Sequence, residues 1–346
     1  MSDNFDVAVI GSGPGGYVAA IRAAQLKQKV VVIEKDKLGG VCLNIGCIPS
    51  KALIHQAHAF NSRMALEGMG VKVDVSSFEY SKVNAASRKA ADTLSRGVAY
   101  LLKKNGVTVI NGTGVLVSDR EILVNNEKRI TAKAIILATG SSPRQIKGFE
   151  FDEQVVLSST GALLMQKLPG SMLILGGGAI GVEFAHIASS FGVKVTIVEM
   201  MDRILPGEDA EVSELLRRSF VKRGMDIRVG TKAVSMERRA KGADVVLENR
   251  EGVRETVSVE KVLVVTGRVP NTEGIGLEVL GIKTDRGYVL TGDYGETSVK
   301  GVYAIGDIVP TPLLAHVASK EGEIAAEHIA GQPGEKCLDS LAVPGA

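Results

Sequence analysis

The feature that most narrows the folds open to this chain is a glycine pattern that occurs twice. Residues 11–16 read GSGPGG and residues 176–181 read GGGAIG, each directly after a short apolar run, Asp6–Ile10 in the first copy and Met172–Leu175 in the second. A helix-compatible stretch follows, Tyr17–Leu26 or Val182–Phe191, and then a second apolar run, Val30–Ile33 or Val193–Val198, closed by an acid, Glu34 or Glu199. From first glycine to acid both copies span 23 positions. Strand, glycine turn, helix and strand in this order make a dinucleotide-binding β-α-β unit. Gly11, Gly13 and Gly16, like Gly176, Gly178 and Gly181, allow a tight turn, close approach of backbone to a pyrophosphate, and contact of helix on strand. The phosphates lie at the helix N-terminus, and the acid accepts from ribose hydroxyls. One such pattern is weak evidence. A matched pair points to two dinucleotides, and a protein that holds two such cofactors gains most when they exchange hydride.

The repeat continues downstream. Ala134–Leu137 leads into Ala138, Thr139 and Gly140 with Pro143 beyond, and Val262–Val265 leads into Thr266 and Gly267 with Pro270 beyond. The segment Gly301–Asp307 is a further strand ending in an acid, which either accepts from a cofactor hydroxyl or forms a plain turn. The expected fold is α/β with two Rossmann-like, three-layer domains, the second inserted into the first. Residues 1–147 with 273–346 would form the outer domain and 148–272 the inserted one. Met236–Glu260, rich in both charge signs, reads as solvated strands and loops.

Composition removes other classes. Forty glycines in 346 residues is roughly 12%, against a usual share of about 7%, and 45% hydrophobic residues exclude disorder. A net charge of +2 and aromatics at 4% without tryptophan leave neither the basic excess nor the stacking platforms of a nucleic-acid binder. The longest uncharged stretches, Val7–Ile21 and Leu168–Val182, are 15 residues each and broken by glycine or proline, too short to span a bilayer. The acidic N-terminus does not resemble a secretory signal, so a cytoplasmic location is expected.

Three cysteines are too few for a disulfide scaffold. Cys42 and Cys47 lie in GGVCLNIGCIPSK. Zinc would need two further ligands, and His55 and His58 do not complete a familiar spacing. A plant-type iron-sulfur cluster would need a third cysteine where Ser50 stands. A redox-active disulfide remains, beside the bland alternative of two reduced cysteines in a core. Pro49 suits the first turn of a helix running through Ala52–Ala59, which would leave Cys47 near its positive end and lower its pKa. Cys337, alone, is expected to be structural.

Taken together, these motifs resemble the flavin-dependent pyridine nucleotide-disulfide oxidoreductases along essentially the whole chain, and most closely their dihydrolipoamide dehydrogenase branch. GSGPGG with Glu34 and Lys35 looks like the family's FAD site and ATGSSPR like a further FAD turn; CLNIGCIPSK resembles its redox disulfide and GGGAIGVEFA with Glu199 its NAD site; TGRVPNT, YAIGD and LLAHVASKEG are similar to its remaining signatures. The resemblance implies FAD contacts at Gly11, Gly13, Pro14, Gly15 and Gly16, and at Gly40, Val41, Cys42, Cys47 and Lys51. It adds Gly114, the turn Ala138, Thr139, Gly140 and Ser141, then Gly306 and Asp307 at the ribityl chain, and Leu314, Ala315 and His316 under the flavin ring. For NAD it implies Gly176, Gly178, Ile180, Gly181, Glu183 and Glu199, with Ala233 and Gly267 beside them. No metal is implied.

The implied route of electrons starts with a dithiol attacking through Cys42. Cys47 would lie against the flavin as a charge-transfer thiolate, Lys51 near flavin N5 would pair with Glu183, and hydride would leave to NAD. Glu199 favours NAD over NADP, since a carboxylate repels a 2′-phosphate; Arg203 is the counter-signal. The implied partners are lipoyl groups of 2-oxo acid dehydrogenase or glycine cleavage complexes. The family also carries a C-terminal domain that forms the homodimer and donates a histidine backed by a glutamate, and this sequence stops at LAVPGA before it. His316 and Glu321 have the same five-residue spacing but lie in the flavin-contacting segment, so they are not expected to replace that pair. The expectation is a chain that binds FAD and transfers electrons from NADH, with lipoamide turnover lowered by about 10² to 10⁴-fold. A related mercuric or glutathione-type reductase, or a flavin-binding core without full activity, are the alternatives.

Overall fold

In a computed structural model the described residues are 3–332, 334–338 and 342–344. The chain opens with β1 (Asp3–Ile10), α1 (Pro14–Gln25), β2 (Val30–Glu34), α2 (Gly40–Ile45), α3 (Cys47–Asn61), α4 (Arg63–Gly68) and α5 (Tyr80–Lys104). Strands β3 (Thr108–Asn111), β4 (Gly114–Ser118), β5 (Glu121–Val124), β6 (Lys128–Leu137), β7 (Ser141–Pro143) and β8 (Val156–Leu157) follow. Next come α6 (Ser159–Leu164), β9 (Ser171–Leu175), α7 (Ala179–Ser190), β10 (Lys194–Val198), α8 (Ala210–Lys222), β11 (Asp226–Arg228), β12 (Thr231–Arg239), β13 (Gly242–Asn249), β14 (Arg254–Val259), β15 (Lys261–Val264) and β16 (Arg268–Pro270). The chain closes with α9 (Leu277–Leu280), β17 (Thr284–Asp285), β18 (Tyr288–Val289), β19 (Val302–Ala304) and α10 (Ala315–Ile329).

These elements form two compact units, one of Met1–Asn44, Ala91–Ser142 and Val269–Ala346, the other of Ile45–Ala90 and Pro143–Arg268. Residues 45–90, placed with the outer domain on sequence, thus group with the second unit. The reason lies in α3, which packs on α7, and in Leu53, which is fully buried in that unit's core.

The first unit is built on a seven-stranded sheet in the order β3-β2-β1-β6-β5-β4. Strand β6 serves two neighbours on its second side. Its first half pairs antiparallel with β5, and its last residues pair parallel with β19. Ala8 and Ile10 enter a core with Ile33, Ile135, Leu137 and Ala304, while Val7 and Val9 are buried on the opposite face. On α1, Gly15 and Ala19 let α10 approach closely: a Cβ added to Gly322 would lie 2.5 Å from the Gly15 carbonyl and 3.3 Å from the Ala19 Cβ.

The second unit has a five-stranded parallel sheet, β11-β10-β9-β15-β8. Along β9 the side chains alternate, Met172 and Ile174 entering one core and Leu173 and Leu175 the other, as a sheet covered on both faces requires. The segment Met236–Glu260, expected as solvated strands and loops, does form strands, but one face of them is buried. It forms most of the antiparallel meander β12-β13-β14, in which Ala243, Val245 and Leu247 point into the second core while the charged residues face out. Their period of two was masked by the many charges between them. Among the described residues no helix is long and apolar enough to cross a membrane.

Candidate functional site

In both units the parallel strands end level with one another, and the fingerprint glycines follow. In the first unit Ile10 pairs with Ile33 on one side and Leu137 on the other, and Leu137 pairs with Ala304, so Gly11, Glu34, Ala138 and the Gly306–Asp307 turn share one sheet edge. This is where ligands of open α/β sheets bind. The glycines there are required by space. Gly11 has φ +100°, and its Cβ would lie 2.2 Å from the Ala138 carbonyl; a Cβ on Gly16 would lie 2.0 Å from the Gly11 carbonyl. Gly40 (φ +60°) presses on Gly13 at 2.7 Å on the same measure, whereas Gly13 itself has open space where a side chain would be. Above it α1 begins, with Pro14 in its first turn and no side-chain cap, so its positive end is offered to an anion.

Glu34 is buried, 7% exposed. Its Oε2 accepts from Ser12 N at 2.8 Å and Ser12 Oγ at 2.7 Å, and its Oε1 from Asp36 N at 2.9 Å. A carboxylate has about four lone-pair sites, which leaves capacity for a ribose hydroxyl. Lys35 next to it is exposed. The turn after β6 is held by Asn271, a residue the sequence motifs did not single out as functional. Asn271 N donates to Gly140 O at 2.9 Å and Asn271 Nδ2 to Thr139 O at 2.9 Å, while Thr139 Oγ1 donates to Asn271 O at 2.7 Å. Ser141 Oγ donates to Asp307 Oδ2 at 2.5 Å. Gly114 opens β4 against Ile10, Ile33 and Ile122. Leu314 precedes α10 and Ala315 starts it, both half-buried. His316 is exposed, its Nε2 3.1 Å from the carbonyl oxygen of Pro344.

Glu321 reaches the turn after β19: its Oε2 accepts from Gly306 N at 2.6 Å. Burial, and to a smaller degree the nearby Asp307 charge, push its carboxyl above the ordinary range against the pull of Gly306 N–H and the Thr311 hydroxyl.

The second unit repeats the arrangement. Val198 and Val264 flank Leu175, so Gly176, Glu199 and the turn to Gly267 lie together. A Cβ on Gly176 (φ +112°) would meet the Val265 carbonyl at 2.6 Å, one on Gly181 would meet the Gly176 carbonyl at 2.0 Å, and Gly178 faces open space. Helix α7 starts without a side-chain cap. Glu199 accepts from Gly177 N at 2.7 Å and Met201 N at 2.8 Å. Ile180 is half-buried, Ala233 lies on β12 against the second core, and Gly267 (φ +129°) accepts from Arg144 N at 3.0 Å. Arg203 Nη2 donates to Pro206 O at 3.0 Å.

Cys42, in α2, and Cys47 are joined in a disulfide, and both are half-buried. Val41 beside Cys42 is exposed. Helix α3 begins at Cys47 itself, with Gly46 as its cap and Pro49 in its first turn. One turn on, Lys51 Nζ donates to Glu183 Oε1 of α7 at 2.8 Å. Cys337, expected to be structural, is instead a free, exposed thiol; isolation in sequence carries no information about burial. Among the described residues no group of three His, Cys, Asp or Glu side chains could hold a metal.

Residues 5–322 match the pyridine nucleotide-disulphide oxidoreductase family. The chain belongs to that family. It is 44% identical over 344 residues to the dihydrolipoyl dehydrogenase of Bacillus subtilis, covering 98% of this chain and 72% of that protein. With the mitochondrial dihydrolipoyl dehydrogenase of Pisum sativum it shares 41% over 352 residues, 99% of this chain and 70% of the relative. The crystal structure of LpdA from Mycobacterium tuberculosis superposes with a TM-score of 0.87 at 31% identity, over 96% of this chain and 74% of that one. Members of the family use FAD and NAD, and both cradles fit such a group: in each, glycines open the mouth that a Cβ would obstruct, an uncapped helix faces it, and a carboxylate closes its far side.

Proposed function

We propose that this chain is a dihydrolipoyl dehydrogenase-type oxidoreductase that binds FAD on its first unit and NAD on its second, and oxidises a dithiol of the lipoyl class. The observation that carries this reading is the Cys42–Cys47 disulfide with Cys47 as the first residue of α3, in a chain of this family.

The position of Cys47 supports one direction of attack. A thiolate at the first residue of a helix is stabilised by the dipole, and in thiol–disulfide exchange the sulfur of lower pKa leaves faster. A substrate thiolate therefore bonds to Cys42 Sγ, the Sγ–Sγ bond breaks, and its electron pair stays on Cys47. The second substrate thiol then attacks the substrate sulfur of the mixed disulfide, releasing Cys42 and closing the oxidised product. Two electrons now reside on the cysteine pair. FAD, when bound, supplies the two-electron acceptor that passes them to NAD as hydride. Lys51, fixed by Glu183, places a positive charge one helical turn beyond Cys47, which favours a negative charge on that side. On the first unit Gly11–Gly16, Gly40, Ala138–Ser141 and Asp307 hold the cofactor. Gly176, Gly178, Gly181 and Glu199 take the nicotinamide nucleotide. Glu199 favours NAD because its carboxylate, held by Gly177 N and Met201 N beside the glycine loop, accepts from ribose hydroxyls and repels a 2′-phosphate. Lipoyl-bearing enzyme complexes are the matching partners, and a reducing cytoplasmic compartment suits a disulfide that must open each turnover.

The test is a thiol count on FAD-loaded protein under anaerobic conditions. Of the three cysteines, only Cys337 should react with a thiol reagent before reduction, and all three after one equivalent of NADH, with a long-wavelength charge-transfer band appearing as they do. Three reactive thiols before reduction, or no gain after it, would overturn the reading.

A further inference from the structure

Glu321 has a position that neither the dithiol chemistry nor nucleotide binding explains by itself. It lies on α10, part-buried, with its Oε2 2.6 Å from Gly306 N. Gly306 has φ +71° and opens the short 3-10 turn Gly306–Ile308 that follows β19. The next residue is Asp307, whose Oδ2 accepts from Ser141 Oγ at 2.5 Å on the turn after β6. The aspartate is thus gripped from the Ser141 side through its carboxylate and from the α10 side through the backbone one residue earlier.

We propose that Glu321 is a positioning residue for Asp307: by accepting from Gly306 N–H it fixes the turn and so the direction in which the Asp307 carboxylate points. A charged acceptor on an N–H is among the stronger neutral-donor hydrogen bonds, and this one acts on a glycine with wide conformational freedom, where an unpinned turn would have several alternatives. A carboxylate kept in a desolvated place beside another carboxylate is costly to the protein, and the Gly306 bond is the compensation visible at its Oε2. The inference rests on the reading that Asp307 contacts FAD.

The experiment is a double-mutant cycle read as FAD dissociation constants by flavin fluorescence on the full chain, with Asp307→Ala, Glu321→Ala, the double variant and Glu321→Gln. Loss of a hydrogen bond to a charged group implies that Glu321→Ala weakens FAD by about ten- to a hundredfold. Glu321→Gln, whose carbonyl oxygen still accepts from Gly306 N–H, should restore affinity to within about threefold. The double variant should bind no more weakly than Asp307→Ala alone, because the glutamate acts through the aspartate. Should Glu321→Ala precipitate, Glu321→Met carries the same cycle, keeping side-chain length without the acceptor. If Asp307→Ala leaves FAD affinity unchanged, the reading of Asp307 as a cofactor ligand fails. If Asp307→Ala weakens FAD but Glu321→Ala does not, or the two effects add in full, or Glu321→Gln gives no rescue, the positioning role is overturned while that reading stands.

Discussion

The two fingerprint units share a backbone and differ in what leans on it. Both have a glycine whose Cβ would strike the carbonyl of the first fingerprint glycine at 2.0 Å, and both open a 12-residue helix without a side-chain cap. Yet positions 12 and 15 of the first copy are serine and glycine, where positions 177 and 180 of the second are glycine and isoleucine. Gly15 lies under α10, and its Cβ would meet the Ala318 carbonyl at 2.9 Å; Ile180 is half-buried. Glu34 is buried and doubly bonded by Ser12, whereas Glu199 is half-buried and takes a single bond from Gly177. The first site is therefore covered by a helix and braced at its acid, which suits a group retained through many turnovers. The second is lighter, which suits one that exchanges.

The most severe way to test that contrast is to remove what the copies share. Gly16→Ala and Gly181→Ala each force a Cβ into a backbone carbonyl, at a cost of several kcal/mol, on the order of core overpacking or more. Gly16→Ala should yield colourless protein. Gly181→Ala should stay yellow but lose flavin reduction by NADH, while dithionite still bleaches it. Yellow Gly16→Ala protein with normal FAD retention would show that the first copy does not hold the flavin nucleotide.

Next in size is the reciprocal exchange at the position that differs most. Gly15→Ile should push α10 away and lower both thermal stability and FAD retention, by about 3 kcal/mol or more. Ile180→Gly should cost less, about 2 kcal/mol, from the helix propensity of glycine and the lost packing of a half-buried side chain, with FAD binding unchanged. Equal effects at the two positions, measured by melting with and without FAD, would remove the helix cover as the distinction between them.

Smaller again is Ser12→Gly, which gives the first copy the second copy's residue and leaves the buried Glu34 with one donor fewer. Hydrogen bonds to a charged group are worth about 1.5–3 kcal/mol, so FAD should bind at least about tenfold more weakly. Gly177→Ser should not tighten NADH to the same extent, because Glu199 remains more open to water.

The contrast also explains what could be read in advance. The repeated glycines were legible because each satisfies a local steric demand that sequence carries directly: a positive φ at Gly11 and Gly176, and a carbonyl in the way at Gly16 and Gly181. The helices start about three residues earlier than the pattern suggested, at Pro14 and Ala179, since small residues and proline read as turn formers although they also fit a first helical turn. Asn271 and Glu321 were not legible as braces. Asn271 bonds a turn 132 positions away, and Glu321 reaches Gly306 only because α10 folds back onto α1. The grouping of residues 45–90 with the second unit likewise depends on which helix α3 packs against, and no periodicity specifies that.

The smallest expected effect is also the most discriminating. Each fingerprint helix carries one ion pair to another helix of its unit: Arg22 to Glu327 at 2.6 Å, with side chains 38% and 24% exposed, and Glu183 to Lys51 at 2.8 Å, with 27% and 58% exposed. Partly exposed pairs contribute about 0–1 kcal/mol, so Arg22→Ala and Lys51→Ala should each shift the melting temperature by only a few degrees. Their chemistry should diverge. Arg22→Ala should leave thiol-dependent reduction of NAD unchanged, whereas Lys51→Ala removes the charge one turn beyond Cys47 and should weaken the charge-transfer band of the two-electron-reduced protein. It should also raise the pH at which that band appears, since the Cys47 thiolate would have lost a neighbouring cation. If both variants lose stability alike and neither moves that pH profile, Lys51 and Glu183 form a packing contact between α3 and α7, and the second unit's ion pair is no more functional than the first's.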